Sequence, residues 1–533
     1  MTSELLINSA ALVTCSVIAL SCSRSSLSCS RFEAAVLDRQ PDEGGHGHRE
    51  VDTDRQTNAV FQRQKSGSAR TVCHERIMPV ALRTTAPFSA DCSDRVVVRS
   101  PARPALSIGA GPTERLYMTT TRGAVDEANA LRENMVRKLR QYRAIRSESV
   151  ARAVQTVPRH LFAPDAPWES VYKPNTALVV KRDEQGVATS LLSAAHIQVT
   201  MLEQAELEPG MRVLEVGSGG YNAALISELV GESGTVVSLD IDAEVVERAR
   251  RCLKSAGYER VTVAQGDAEY GHADGAPWDR VIVTAGAWDI PPSWTGQLAP
   301  EGRIVVPLRM RGLTRSVVLE AAGDHLVSRD YHLCAFVPMQ GAGARDRHLV
   351  PLAGSGPEEP EVGLRVEEEQ PLDVAGMREA LRGRAVRRWS GVDFDQVDEL
   401  DLWIGTSASV FGVLIAGAQA IDSGLVARST ARGAPTLIRG ASFAYRTARP
   451  VEGTERYETG VIAHGPEAET VADEYVELLR RWDRDLRDTR PGARIEVFPA
   501  ATPTSELPEG RIVEKSHTRI VVSWPGAQNP APR

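Results

Sequence analysis

The 533-residue chain reads as an α/β protein built on a doubly wound parallel sheet, followed by a smaller α+β region. Three observations lead to that class. An apolar run reaches an acid and a glycine-rich turn at Val213-Leu214-Glu215-Val216-Gly217-Ser218-Gly219-Gly220, and helical patterning follows in Tyr221-Asn222-Ala223-Ala224-Leu225. A second apolar run, Thr235–Asp240, also ends in an acid. Further apolar runs then alternate with helix-period segments, the order that predicts parallel strands joined by right-handed crossovers.

Taken in order, residues 124–157 place Leu131, Met135 and Leu139, then Val150, Ala153, Val154 and Val157, at helical spacing with charges between them. That pattern predicts two amphipathic helices. Pro158 and Pro164 bracket a break, residues 172–180 and 187–192 read as short strands or an arm, and a helix is expected over 194–205. Past Asp240 come a helix at Ala243–Ala256, a strand at 261–264, a Gly266-Asp267 turn and a strand at 279–284. A short helix over 294–298, a Pro300-Glu301-Gly302 turn and a strand at 303–307 follow. Strands at 316–320 and 325–331 flank Gly323-Asp324 and predict an antiparallel hairpin.

The expected organisation is a catalytic domain over 118–352, a Pro-, Gly- and Glu-rich linker over 353–373, a C-terminal α+β domain over 374–524 with a role in peptide recognition, and a tail over 525–533. Val471, Tyr475, Leu479, Trp482 and Leu486 form one helical stripe in the C-terminal region, with strands expected over 494–498 and 519–524. Residues 1–117 are rich in Ser, Arg, Gly and Pro without a sustained period, and read as a disordered or non-native extension, with Met118 as the natural start.

Composition narrows the function classes. A net charge of -8 leaves no broad basic footprint, so nucleic acid is not an expected partner. The apolar segment 5–20 is short for a membrane span and has no Lys or Arg before it, so no membrane role is expected and the location reads as cytoplasmic. Cys15, Cys22, Cys29, Cys73 and Cys92 crowd the first hundred residues, leaving Cys252 and Cys334, which is no disulfide framework. Neither Cys-x-x-Cys nor His-Glu-x-x-His occurs, and Asp240 with Asp242 lacks a third ligand, so no metal is expected.

The glycine turn is a nucleotide-type cofactor site: the turn needs torsion angles that side chains disfavour, and the cofactor must lie against bare backbone. Two acids, Glu215 and Asp240, with no basic residue in the turn suit a cofactor rich in hydroxyls and carrying a cation, which points to S-adenosylmethionine. A dinucleotide dehydrogenase has its ribose acid roughly twenty residues beyond Gly-x-Gly-x-x-Gly, and Asp240 meets that spacing. Against it stand Glu215 at the end of the first strand and the lack of a third glycine after Gly220.

Six stretches, in order, resemble the protein-L-isoaspartate O-methyltransferases: Arg159-His160-Leu161-Phe162-Ala163-Pro164, Ser193-Ala194-Ala195-His196, the glycine turn, Gly266-Asp267, Ala276-Pro277-Trp278-Asp279, and Gln297-Leu298-Ala299-Pro300-Glu301-Gly302-Arg303. A narrower likeness, to the FxLD-system methyltransferases that accompany lanthipeptide precursors, rests on Gly219-Gly220-Tyr221-Asn222-Ala223-Ala224, Gly286-Ala287-Trp288-Asp289-Ile290-Pro291-Pro292, Arg309-Met310-Arg311-Gly312-Leu313-Thr314-Arg315-Ser316 and Phe336-Val337-Pro338-Met339-Gln340-Gly341. That family also carries a C-terminal extension. Two departures stand out: the glycine turn has one residue fewer between Gly219 and Tyr221 than the family's Glu-x-Gly-x-Gly-x-Gly, and Ala195 replaces the proline usual two residues after the serine.

The resemblance implies a Rossmann-like, S-adenosylmethionine-dependent methyltransferase fold with a seven-stranded sheet containing one antiparallel strand. It implies that Glu215, Gly217 and Gly219 line the methionine end, that Asp240 takes the ribose hydroxyls, and that Asp267 and Ala268 flank the adenine. Ser193 matches the serine beside the methyl-accepting carboxylate, with capping of the next helix as its plainer role, and His196 is a candidate substrate contact or a packed helix-face histidine. His160 is assigned to structure, and Trp288 and Trp294 to the cleft wall or the core.

The activity so implied is methyl transfer to an aspartate or isoaspartate carboxylate of a peptide or protein, leading to succinimide, on a lanthipeptide precursor. The alternatives are general repair of isoaspartyl residues in damaged proteins and a non-catalytic S-adenosylmethionine-binding module, the latter suggested by the two departures. The oligomeric state is left open.

Overall fold

The computed structural model describes residues 112–184, 186–345, 348–354, 361–394, 397–454, 456–488 and 492–525. The expectation for the extension therefore lies outside the described residues as far as residue 111. Helix α1, Pro112–Gln141, already includes Met118 and begins upstream of it. Helix α2 is Glu148–Thr156, capped by Ser147, whose side chain accepts from the Val150 amide. Strands β1 (Leu178–Arg182) and β2 (Ala188–Leu192) pair as the expected arm, a separate antiparallel hairpin.

Then come helix α3 (Ala195–Ala205), β3 (Arg212–Val216), helix α4 (Tyr221–Val230), β4 (Thr235–Asp240), helix α5 (Ala243–Ala256), β5 (Thr262–Gln265), β6 (Trp278–Val283), β7 (Leu298–Met310), β8 (Leu313–Ala322) and β9 (His325–Leu333). Their sheet order is β5-β4-β3-β6-β7-β8-β9. Neighbours from β5 through β7 are parallel, and β8 alone runs against the rest of these seven. This is the methyltransferase arrangement that the resemblance implied. The short helix expected over 294–298 is Pro292–Gly296, and β7 begins at Leu298, earlier than the proline-glycine turn suggested, because Trp278 of β6 pairs with Leu298.

Strand alternation builds two cores from one sheet. Val213, Val236, Ile282 and Val305 face the cluster made by α2 to α5. Leu214, Val237, Val281 and Ile304 face a second cluster on the other side. That second cluster corrects the expected domain plan. It includes Trp403 of helix α7 (Val397–Ser407), Tyr475 and Trp482 of helix α8 (Ala468–Asp485), and Trp524. Trp403 donates its indole N–H to the Leu478 carbonyl at 3.0 Å, and Trp524 donates to Thr406 Oγ1 at 3.0 Å.

Three C-terminal strands, β17 (Arg494–Pro499), β18 (Arg511–Glu514) and β19 (Thr518–Ser523), extend the same sheet to ten strands, with β17 pairing β9 at Glu496↔Val327. An edge at β9 would leave amides and carbonyls without a ladder partner, which β17 supplies. The region between forms a seven-stranded antiparallel sheet of β10 (His348–Ala353), β11 (Val362–Val366), β12 (Val386–Asp393), β13 (Phe411–Ala416), β14 (Ala434–Arg439), β15 (Ser442–Pro450) and β16 (Tyr457–His464). Helix α6, Val374–Arg382, packs into its own small core through Met377 and Leu381. β11 therefore lies inside the stretch expected as linker. Its Val362 and Leu364 are fully buried, and the Pro- and Gly-rich composition around it masked a strand.

Candidate functional site

The carboxyl ends of β3, β4 and β6 open on one cleft, where an open parallel sheet places its ligands. Gly217, Ser218 and Gly219 form its floor, Asp240, Ile241 and Asp242 one wall, Thr284 and Ala285 another, and Ser193 with Thr189 to Leu191 the roof. Ala268 and Val337 to Gln340 complete the lining.

Gly217 has φ +96°, and a Cβ there would collide with Thr284 Oγ1. Thr284 is held in place: its hydroxyl donates to the Val216 and Gly217 carbonyls at 3.0 Å each. Gly219 is different, since a Cβ would meet only the Leu191 carbonyl at 3.8 Å. Its bareness is thus not required by the protein's own packing and leaves backbone for a ligand. Gly220 sits at φ +81° against the Phe162 ring, so the shortened turn closes directly onto the start of α4.

Asp240 lies at the end of β4, its two oxygens accepting from the Ser218 amide at 2.8 Å and the Asp242 amide at 3.0 Å. Burial raises its pKa, and those amides pull it back. Beside it Ile241 is 36% exposed, one of three large apolar side chains left so open among the described residues. A carboxylate next to an uncovered apolar surface fits a nucleoside, with its hydroxyls and its apolar base face.

Glu215 differs from its expected place at the methionine end. It is fully buried beneath the turn, accepting from Asn222 Nδ2 at 2.9 Å and from the Ser238 hydroxyl, which also contacts Ser218. It is outside the cleft lining because strand alternation sets Glu215 on the face of Val213, toward Asn222, and opposite Leu214 and Val216, of which Val216 lines the cleft. Burial lifts its carboxyl from 4.5 to about 7, against the hydrogen bonds of Ser238 and Asn222. A group with a raised folded pKa favours the fold below about pH 4.5, and that advantage is lost as pH rises through 7, a difference on the order of 3 kcal/mol. Glu215→Gln keeps the shape and cannot ionise. We expect its melting temperature at pH 8 to exceed that of the parent by several degrees, and the parent's decline between pH 5 and 7 to vanish; an unchanged pH profile would refute this.

Ala268 lines the cleft as expected, but the Asp267 carboxylate turns away, accepting from the Glu269 amide at 3.0 Å and the Ala342 amide at 2.7 Å. It caps a short turn and ties down the loop at Gly341. Trp294 is wholly buried and donates to the Ala268 carbonyl at 2.7 Å, so it supports that wall from behind.

Ser193 lies in the cleft roof, and α3 begins only at Ala195 with Ala194 as its cap residue, so Ser193 does not cap that helix. His196 is buried, its Nδ1 3.2 Å from the Pro174 carbonyl, and burial pushes its pKa down to about 4. It stands outside the cleft lining as a neutral packing residue, because α3 turns that position toward the chain at Pro174. His160 contacts the Tyr172 hydroxyl through Nδ1 at 2.7 Å, a structural role.

Several participants had no clear sequence signal. Arg159 is completely buried, donating to the Val171 carbonyl at 2.9 Å, Gln198 Oε1 at 2.7 Å and the Ser193 carbonyl at 2.6 Å, with its guanidinium 4.7 Å from the Tyr221 ring. It fixes the backbone that carries Ser193. Lys181 on the arm pairs with Asp242 at 2.6 Å and Glu244 at 2.9 Å, fastening the roof to the start of α5. Thr284 could have been suspected only as a polar residue ending an apolar run.

A sheet ordered β5-β4-β3-β6-β7-β8-β9 with β8 alone reversed, a bare glycine turn after β3 and an acid at the end of β4 form the arrangement of the S-adenosylmethionine-dependent methyltransferases. The family profile described as Protein-L-isoaspartate(D-aspartate) O-methyltransferase (PCMT) matches residues 129–344. The protein-L-isoaspartate O-methyltransferase of Hyperthermus butylicus is 41% identical over 220 residues, 39% of this chain and 88% of that one. That of Methanopyrus kandleri is 39% identical over 213 residues, 39% of this chain and 91% of that one. A solved protein-L-isoaspartate O-methyltransferase covers 74% of this chain and 99% of its own at 21% identity and TM-score 0.39. The chain belongs to the protein-L-isoaspartate O-methyltransferase family. It is a carboxyl methyltransferase that uses S-adenosylmethionine.

Proposed function

We propose that the acceptor is the carboxylate of an isoaspartyl residue in a peptide or protein, held beneath Ser193 with Gly217, Gly219 and Asp240 holding the methyl donor. The observation that carries this reading is the convergence of Ser193, the glycine cradle, Asp240 and Thr284 on one cleft. When bound, the cofactor supplies a methyl group on a cationic sulfur, which attracts an anion without help from a base. A carboxyl group with a pKa near 4 is already ionised at neutral pH, so the protein's work is placement and exclusion of water, and orientation alone supplies about 7 to 11 kcal/mol. Ser193 donates a hydrogen bond to one carboxylate oxygen and leaves the other free to attack. Arg159 keeps Ser193 there. The ester carbonyl is a better electrophile than the carboxylate and carries methoxide as its leaving group, so the following backbone nitrogen attacks it, loses its proton and closes a succinimide as methanol is released.

A second reading, an aspartate in a lanthipeptide precursor, is favoured by the FxLD-like stretches at Gly286 to Pro292 and Phe336 to Gly341 and by the long C-terminal region. The cytoplasmic location goes with either substrate pool. Incubation with methyl-labelled cofactor and matched isoaspartyl, aspartyl and lanthipeptide-precursor peptides separates them. Label on the isoaspartyl peptide alone supports the first reading, label on the precursor alone the second, and label on none of the three favours a binding module and overturns both. In the active assay Ser193→Ala should lower kcat about 10- to 100-fold, the worth of one hydrogen bond to a charged group, while cofactor affinity stays within a factor of a few. A fall in cofactor affinity as large as the fall in kcat would remove Ser193 from the acceptor side.

A further inference from the structure

The turn between β18 and β19 reaches from the C-terminal region into the rim of the cleft. His517 places Nε2 2.7 Å from Glu269 Oε1, next to the cleft residue Ala268. The His517 amide and the Thr518 hydroxyl both donate to Asp289, at 2.6 Å each, on the loop that leaves the cleft at Ala285. The turn therefore clasps two loops that border the site. Between them stands the half-buried Trp288, with the Arg345 guanidinium 4.6 Å and the Lys515 ammonium 4.5 Å from its ring.

Neither cation has a carboxylate at ion-pair distance among the described residues. Arg345 is exposed and its guanidinium donates to the Ser516 hydroxyl at 3.1 Å, and Lys515 donates to the Arg309 carbonyl at 3.1 Å. Their neighbours are neutralised: Arg309 by Glu367 at 2.8 Å, and Arg519 by Glu514 at 2.6 Å. Of the acids nearby, Asp289 accepts from the amide and hydroxyl just named, Glu269 meets His517, and Glu367 and Glu368, which attract Lys515 from farther off, pair with Arg309 and Arg311. Two cations without a close carboxylate, on an aromatic platform beside loops that border the cleft, favour an anion arriving from solution. Burial lowers Lys515 to about 8, so at neutral pH it keeps most of its charge.

We propose that Arg345, Lys515 and Trp288 form a subsite, completed by the C-terminal region, for an acidic side chain of the acceptor peptide flanking the residue that is methylated. The subsite rests on the reading of a peptide acceptor and adds sequence selectivity to it. It makes the C-terminal region part of the acceptor site through one turn.

The test is a binding titration of the full chain, with S-adenosylhomocysteine present, against isoaspartyl peptides that carry Glu or Gln at each of the three positions on either side. The subsite predicts five- to tenfold tighter binding for Glu at one or two positions, shrinking as salt is raised. In Arg345→Gln and Lys515→Met the preference should fall toward onefold, and in Arg345→Glu it should pass to Lys-flanked peptides. Arg345 is exposed, so its variants are expected to fold even where Lys515→Met does not, and melting curves check this. Equal binding of Glu and Gln peptides at every position, or a preference that survives in both Arg345 variants, overturns the subsite. Methyl transfer read in parallel samples, with S-adenosylmethionine in place of S-adenosylhomocysteine, judges the proposed reaction separately: a preference without transfer would leave the subsite standing and defeat the reaction.

Discussion

Arg159→Met is expected to lower stability by about 2 to 4 kcal/mol and to reduce kcat/KM by more than tenfold. The side chain is fully buried and its guanidinium satisfies three acceptors, the Val171 and Ser193 carbonyls and Gln198 Oε1. Methionine fills a comparable volume but donates nothing. Each acceptor left unsatisfied in the interior costs roughly 1 to 3 kcal/mol, and the sum is reduced because the buried guanidinium carries its own desolvation penalty and has no carboxylate at ion-pair distance among the described residues. Burial does lower its pKa, but it remains charged at neutral pH. Release of the Ser193 carbonyl frees the segment before α3, so the kinetic loss should fall on kcat and the acceptor KM, with cofactor affinity little altered. Arg159→Lys reaches fewer acceptors and should lie between. Denaturation and steady-state kinetics on the three proteins check the order; a methionine variant as stable and active as the parent would dismiss Arg159 as an anchor.

Gly217→Ala should weaken binding of S-adenosylhomocysteine about 100-fold, or about 2.7 kcal/mol. Two effects contribute. At φ +96° an L side chain costs about 1 to 2 kcal/mol, and the new methyl overlaps Thr284 Oγ1. That hydroxyl cannot retreat without losing its hydrogen bonds to the Val216 and Gly217 carbonyls, so the turn itself must shift. A double-mutant cycle with Thr284→Ala separates the effects, since it removes the overlap and leaves the torsional strain. The double variant should recover part of the lost affinity and no more. Gly219→Ala provides the contrast: with only the Leu191 carbonyl at 3.8 Å, its melting temperature should match the parent while affinity falls through crowding of the ligand alone. Calorimetric titration and melting curves read both quantities, and full recovery in the double variant would show that strain plays no part.

The strands of the central sheet were legible because each is a run of apolar residues closed by glycine or acid, and residues buried on both faces leave no other reading. The glycine turn and Asp240 were legible for a related reason, since backbone torsion and charge at a strand end leave a local signature, whereas Ser193 was named only by the family resemblance and lies in the cleft lining. Asp267, Glu215 and His196 misled, since sequence reports that a polar group exists and not which way it points. Glu215 turned under the turn to meet Asn222 and Ser238, and His196 toward Pro174. Arg159, Lys181 and Thr284 act through partners distant in the chain, as between Lys181 and Asp242, and no local period encodes such pairs. The C-terminal region was misjudged for the same reason. Its strands looked like those of a separate domain, and β11 was hidden by its Pro- and Gly-rich surroundings.

What the sequence by itself determined is the parallel sheet, the cofactor turn and the class of chemistry, all consequences of local periodicity, torsion and charge. Only the tertiary structure decided that β17 completes the open edge at β9, that Trp403, Trp482 and Trp524 seal one face of the same sheet, and that the β18–β19 turn borders the cleft. The physical reason is that edge pairing and the burial of aromatic surface are satisfied by whichever segment reaches the site in space, and many stretches of a chain this long present the same strand and the same tryptophan.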